Sequence, residues 1–217
     1  TDWAGPSANR ATPLPDYAEA HERSEQWRAS RSARPGDPKA SAAAVLEVVD
    51  AAELPVMLYD VPGRTGSTIG LETYEETLGW EQVVAVKDAV GDMPRAARLA
   101  QMGYAVYSGD DVNTLGFLAH GACGLVSVVG HVAGTEIASM IERFLAGDHA
   151  AALATYQRLL PAFEAVMGVA NYGATTAKGG LELLGVLDNR RVRSPLVPLD
   201  DEELAALRTG LEAAGLL

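Results

Sequence analysis

Three residues in this chain have types and positions suited to carbonyl chemistry. Lys87 ends the apolar run Val83 to Val86, so its amine emerges where the preceding side chains are buried. An amine with little access to water is biased toward its neutral form, the nucleophile that attacks a ketone. Tyr59 ends a second apolar run, Pro55 to Leu58, and a phenol at such a point can pass protons to a neighbouring intermediate. Arg64 lies in the turn-forming stretch Val61 to Gly66 (VPGRTG), and its planar fork suits a carboxylate. Each has a plainer alternative at this stage. Lys87 could simply pair with Asp88, Tyr59 could sit half in a core with a wet hydroxyl, and Arg64 could be a solvated surface cation.

Other candidates carry weaker signals. Asp110 and Asp111 are adjacent carboxylates, suggestive of acid–base or metal work. They also stand just before a helical pattern, where aspartate is a favoured cap. His21, His120, His131 and His149 show no metal-ligand spacing. The stretch Gly173 to Gly180 (GATTAKGG) has the glycines of a phosphate loop without its glycine-to-lysine spacing.

The elements that must position these residues alternate. A helical pattern at Ala42 to Ala52 precedes the strand Pro55 to Tyr59, whose continuous apolarity predicts burial on both faces. A helix is expected at Leu71 to Gly79, a strand at Val83 to Val86, and a helix at Met93 to Met102. Then come a strand at Tyr104 to Tyr107, a helix at Val112 to His120, a strand at Gly124 to Val129 and a helix at Thr135 to Leu145. Strand ends at Tyr59, Val86, Tyr107 and Val129 are 27, 21 and 22 residues apart. Each interval holds one strand and one helix, which demands a parallel sheet with right-handed crossovers. Three further helices are expected, at His149 to Met167, Thr175 to Leu184 and Asp201 to Ala214. Asp200 stands three residues before Glu203 as the cap of the last. In a parallel α/β fold, function collects at the carboxyl ends of the strands, where Tyr59, Lys87, Gly109 to Asp111 and Ser127 to His131 all fall.

Composition narrows the partners. Acidic residues outnumber basic ones 29 to 17, a net charge of −12, so phosphate backbones and anionic lipid surfaces are disfavoured. A small anionic substrate remains compatible, because one local lysine and arginine outweigh a distant field. The single cysteine, Cys123, precludes an intrachain disulfide and fits a reducing cytoplasm. Residues 1–40 read differently from the rest, with one leucine, no valine, isoleucine, methionine or phenylalanine, and five prolines. So few aliphatic side chains cannot offset the cost of ordering, and the expectation is a disordered or out-of-frame segment. Its six basic and six acidic residues cancel, which leaves the whole negative charge to residues 41–217.

Together these segments resemble the dihydrodipicolinate synthase family of Schiff-base aldolases. The likeness lies in YDVPGRTG (Tyr59 to Gly66), VVAVKDAVGD (Val83 to Asp92), YSGDD (Tyr107 to Asp111), GLVSVVGH (Gly124 to His131), TTAK (Thr175 to Lys178) and RSPLVPL (Arg193 to Leu199). The resemblance implies a (β/α)8 barrel of which this chain carries only strands five to eight. Residues 41–148 form that half, and 149–217 a C-terminal helical extension. It implies that Lys87 forms an imine with pyruvate, and that the enamine attacks aspartate semialdehyde on the route to lysine and diaminopimelate. By the same resemblance Tyr59 relays protons, Arg64 holds the semialdehyde carboxylate, and backbone groups of Gly109 and Val126 line the pyruvate pocket. No metal or organic cofactor is implied. A sister aldolase or dehydratase acting on another 2-keto acid, and a non-catalytic half-barrel, are the alternatives. A barrel of this type needs roughly 250 residues, and the family's Gly-Thr-Thr-Gly-Glu motif and partner tyrosine have no counterpart here. A half-barrel exposes sheet edges and an apolar inner face, so self-association into a homo-oligomer is expected.

Overall fold

A computed structural model describes residues 54–217 except 170, together with 47, 49 and 51. The readings placed on residues 1–40, and most of the helix expected at 42–52, lie outside the described residues.

Four strands form one parallel sheet in the order β1-β2-β3-β4. They are β1 (Val56–Asp60), β2 (Val83–Asp88), β3 (Ala105–Ser108) and β4 (Gly124–Leu125). Between them run α1 (Pro62–Thr65), α2 (Leu71–Thr77), α3 (Met93–Met102) and α4 (Thr114–Ala119), the last entered through a 3-10 turn at Asp111–Asn113. Then follow α5 (Gly130–Leu145), α6 (His149–Met167), α7 (Ala174–Leu183) and α8 (Asp201–Ala213). The alternation expected from the sequence is therefore the observed order.

Local chemistry explains the boundaries. The Asp92 carboxylate accepts from the Arg95 N–H at 3.1 Å and caps α3, with a proline in its first turn. Gly103 ends that helix at φ 105°, in the left-handed region that glycine enters without a steric penalty. At α8, Asp200 and Glu203 form the reciprocal capping box read from the sequence.

Two expectations need correction. The first strand is not buried on both faces, since Met57 is 40% and Tyr59 45% exposed. Strand pleating sends these two to the face that the described helices leave uncovered. The fourth strand ends at Leu125 instead of Val129. Ser127 Oγ and the Val128 N–H there turn to the Asp111 carboxylate, and the chain winds into α5 at Gly130. That start is five residues earlier than expected, and a kink at Ala133 (φ −136°, ψ 31°) lies near the predicted one.

Two apolar cores hold these layers. One packs Val83, Val86, Ala96, Leu99, Val106 and Phe117 between the sheet and its helices. The other packs α5 against α6 and α8 through Met140, Leu159, Phe163, Leu207 and Leu211. Each fully buried Leu or Phe contributes about 1.5–3 kcal/mol by leaving water.

Candidate active site

The parallel register places Tyr59 opposite Lys87 at the carboxyl ends of β1 and β2. Alternation turns both side chains to the uncovered face, and the Lys87 amine lies 4.3 Å from the centre of the Tyr59 ring. Lys87 is half-buried, so the strand end partly shields it from water. The plainer reading, a pair between Lys87 and Asp88, is not what the structure has. Asp88 is wholly buried on the opposite face, where it meets Arg95.

Gly109 follows β3 and presses against the lysine. Its N–H donates to the Asp88 carbonyl at 2.7 Å. A Cβ on Gly109 would stand 2.9 Å from Ala89 Cβ, 3.1 Å from the Asp88 carbonyl oxygen and 3.1 Å from Lys87 Cε. Glycine is thus required for the approach of backbone to the lysine side chain, not for an unusual φ. Val126, just past β4, donates its N–H to the Ser108 carbonyl at 2.9 Å and leaves its side chain partly exposed.

Arg64 belongs to α1, a single turn with proline at its start and Gly66 at φ 79° closing it. Its guanidinium is exposed and lies 5.5 Å from the Tyr172 ring centre, a contact with the α6–α7 connection that no sequence pattern indicated. The structure therefore brings Lys87, Tyr59 and Gly109 into one cluster, with Arg64 and Val126 on the flanking loops.

Asp110 and Asp111 do not cap through their side chains, contrary to expectation. Asp110 accepts from the Asn113 side-chain amide at 2.7 Å. Asp111 is buried and accepts from Ser127 Oγ and from the Val128 N–H at 3.3 Å. The Gly130 N–H in turn donates to Ser127 Oγ at 2.6 Å. Asp111 thereby fixes the loop that carries Val126. Burial pushes its carboxyl above the usual carboxylate range, and the Ser127 hydrogen bond only partly opposes this.

A second buried polar group was missed entirely. Asp60 is 1% exposed, and its carboxylate accepts from Arg95 Nη2, from the Ile69 N–H at 3.3 and 3.2 Å, and from the Tyr74 hydroxyl at 3.4 Å. Burial, reinforced by the Asp60 charge, raises the Tyr74 phenol. Among the described residues no group of three His, Cys, Asp or Glu side chains could hold a metal ion. No helix among them is long and apolar enough to cross a membrane.

Residues 43–214 match the Dihydrodipicolinate synthetase family. A 4-hydroxy-tetrahydrodipicolinate synthase of Kineococcus radiotolerans is 49% identical over 170 residues, covering 78% of this chain and 55% of that protein. The crystal structure of the Cyanidioschyzon merolae dihydrodipicolinate synthase with lysine bound superposes at TM-score 0.76, with 35% identity over 85% of this chain and 63% of that one. The Acinetobacter baumannii dihydrodipicolinate synthase complexed with pyruvate gives 0.72 at 30% identity, over 79% of this chain and 59% of that one. The chain spans about half the length of the curated relatives it matches, and its four parallel strands with their helices form part of a (β/α)8 barrel. The chain belongs to the dihydrodipicolinate synthase family.

Proposed function

We propose that this chain acts as a 4-hydroxy-tetrahydrodipicolinate synthase-type lyase through an imine on Lys87. The observation that carries the reading is the Lys87 amine 4.3 Å from the Tyr59 ring centre, at register-paired strand ends. In this reading the Lys87 amine attacks the pyruvate ketone and expels water to form an imine. The iminium then serves as the electron sink for loss of a methyl proton, giving the enamine that attacks the aldehyde of aspartate semialdehyde. Tyr59 shuttles protons, Arg64 holds the semialdehyde carboxylate, and the backbones of Gly109 and Val126 line the pyruvate pocket. A preformed nucleophile and base support such chemistry by orientation. No protein-held metal or cofactor is required, and the reaction is placed in the cytoplasm.

A second reading is favoured by the exposure of Tyr59, which is 45% open to solvent. In it the chain forms the imine and does not complete condensation unaided. We further propose self-association through β1 and β4, the outer strands of the described sheet.

Borohydride reduction with pyruvate, followed by peptide mass spectrometry, tests the reading. A reduced pyruvyl adduct on Lys87 is expected, absent from Lys87→Ala. No adduct on a folded sample refutes it. Added aspartate semialdehyde separates the two readings, since only the first predicts consumption of both substrates. A clean monomer by size-exclusion chromatography would contradict the association.

A further inference from the structure

Asp60 and Asp88 each follow a site residue by one position, and they face each other in the β1–β2 register. Pleating therefore turns both carboxylates to the helix side, directly behind Tyr59 and Lys87. They are 1% and 0% exposed, and one guanidinium serves both. Arg95, from the first turn of α3, donates through Nη2 to Asp60 and to the Ile69 carbonyl at 2.8 Å. Its Nε stands 3.7 Å from Asp88 Oδ2, and neither atom has a hydrogen-bond partner among the described residues. The Arg95 side chain is itself only 10% exposed, and its guanidinium lies 5.3 Å from the Tyr74 ring centre.

The same two aspartates anchor the backbone around the site. Asp60 gives its carbonyl to the Ala89 N–H at 2.9 Å, and Asp88 gives its carbonyl to Gly109 at 2.7 Å. The Asp88 carboxylate also accepts from the Val90 N–H at 2.8 Å. Without a shared cation, two adjacent buried carboxylates would repel and lose their compensation. Either aspartate turning toward water would twist its strand end and carry Tyr59 or Lys87 with it.

We propose that Arg95 is a positioning residue for the Lys87–Tyr59 pair, holding the ends of β1 and β2 together through Asp60 and Asp88. The inference rests on the imine-forming reading of Lys87. A misplacement of 1 Å at a reacting group costs on the order of 10²-fold in rate, and loss of the fork geometry in Arg95→Lys should produce a loss of about tenfold.

The test compares wild type, Arg95→Lys, Asp60→Asn and Leu211→Ala in two assays, each normalised to folded protein by circular dichroism. Asp60→Asn keeps the volume and the acceptor for Ile69, so it carries the test if Arg95→Lys does not fold. Leu211→Ala removes a fully buried side chain from the distant helical core and controls for general destabilisation. The first assay is the rate of borohydride trapping with pyruvate. The second is acetylation of Lys87 by acetic anhydride relative to Lys178, which needs no pyruvate. Slower trapping and an altered Lys87-to-Lys178 ratio in the clamp variants, with wild-type values in Leu211→Ala, are expected. Clamp variants that match wild type in both assays overturn the inference, as does a Leu211→Ala that fails equally. A folded wild type with no pyruvate adduct overturns the imine-forming reading instead, and the acetylation ratio then still decides whether Arg95 positions Lys87.

Discussion

Gly109→Ala should damage the site by an amount that follows from three contacts. The added methyl would lie 2.9 Å from Ala89 Cβ, 3.1 Å from the Asp88 carbonyl oxygen and 3.1 Å from Lys87 Cε. Ala89 Cβ and the Asp88 carbonyl belong to a backbone fixed by hydrogen bonds, so neither can retreat cheaply. Lys87 Cε is on a flexible side chain and gives way first, moving the amine from the Tyr59 ring. Overpacking of this kind costs about 1–3 kcal/mol, or about 2–12 °C in Tm at roughly 2–4 °C per kcal/mol for a domain of this size. Pyruvate trapping on Lys87 should fall by about tenfold, part of the on the order of 10²-fold that a 1 Å displacement costs. Gly134→Ala provides the contrast. It directly follows the kink at Ala133 in α5 with nothing within 4 Å of its would-be Cβ, so its methyl should change neither Tm nor trapping by much. Thermal unfolding and borohydride trapping on both variants give the answer. A Gly109→Ala protein with wild-type Tm and trapping rate would refute the packing argument.

Ser127→Ala should cost about 1–3 kcal/mol, because it strands one Asp111 oxygen and the Gly130 N–H; a loss below about 0.5 kcal/mol in urea unfolding would contradict this. Gly210→Ala should destabilise by at least about 1–3 kcal/mol, since its methyl would overlap Ala165 Cβ and meet the Pro161 carbonyl oxygen at 2.8 Å where α8 crosses α6. A Tm within about 1 °C of wild type, to be read by calorimetry, would rule that out (about half of the least shift expected, roughly 2 °C). Asp88→Asn should gain stability relative to wild type as pH rises. Burial holds the Asp88 carboxyl above the usual carboxylate range, so its favourable contribution is complete below the unfolded value of about 3.9 and is lost as pH climbs through the folded value. Urea unfolding of both proteins across the acid range reads that difference, and a constant or opposite trend would show that the Arg95 contact outweighs burial.

The sequence made the alternation of elements legible because buried strands and amphipathic helices leave different apolar periods. Met93 to Met102 and His149 to Met167 fall at the expected bounds for that reason. Lys87 and Tyr59 were legible as polar endings to apolar runs, and the parallel register then made them neighbours. The exposure of Met57 was not legible, since an apolar run carries no record of which face lacks a covering layer. The end of β4 at Leu125 was hidden for a related reason. Val126 to Val129 has strand composition, yet a buried carboxylate sixteen residues before Ser127 bends it away. Arg95 reads in isolation as a solvated residue on a helix. A signal did exist, because YD and KD end two neighbouring strands, and two carboxylates in register on a covered face require a cation.

That signal suggests how the two kinds of buried group divide the work. The apolar cores fix which elements touch, but dispersion and burial are nondirectional and tolerate small sliding of one strand on another. Hydrogen-bonded charges do not, because their energy depends on angle and distance and their failure leaves a buried charge exposed to no partner. Two such groups of directional contacts lie immediately beside the site. Asp60, Asp88 and Arg95 sit behind Tyr59 and Lys87, while Asp111 and Ser127 sit behind the loop bearing Val126. The terminal-helix core around Leu207 and Leu211 is instead packed through buried apolar side chains. Substitutions in that core should therefore lower stability with little effect on chemistry per folded molecule, whereas substitutions in the polar groups should alter chemistry in molecules that remain folded.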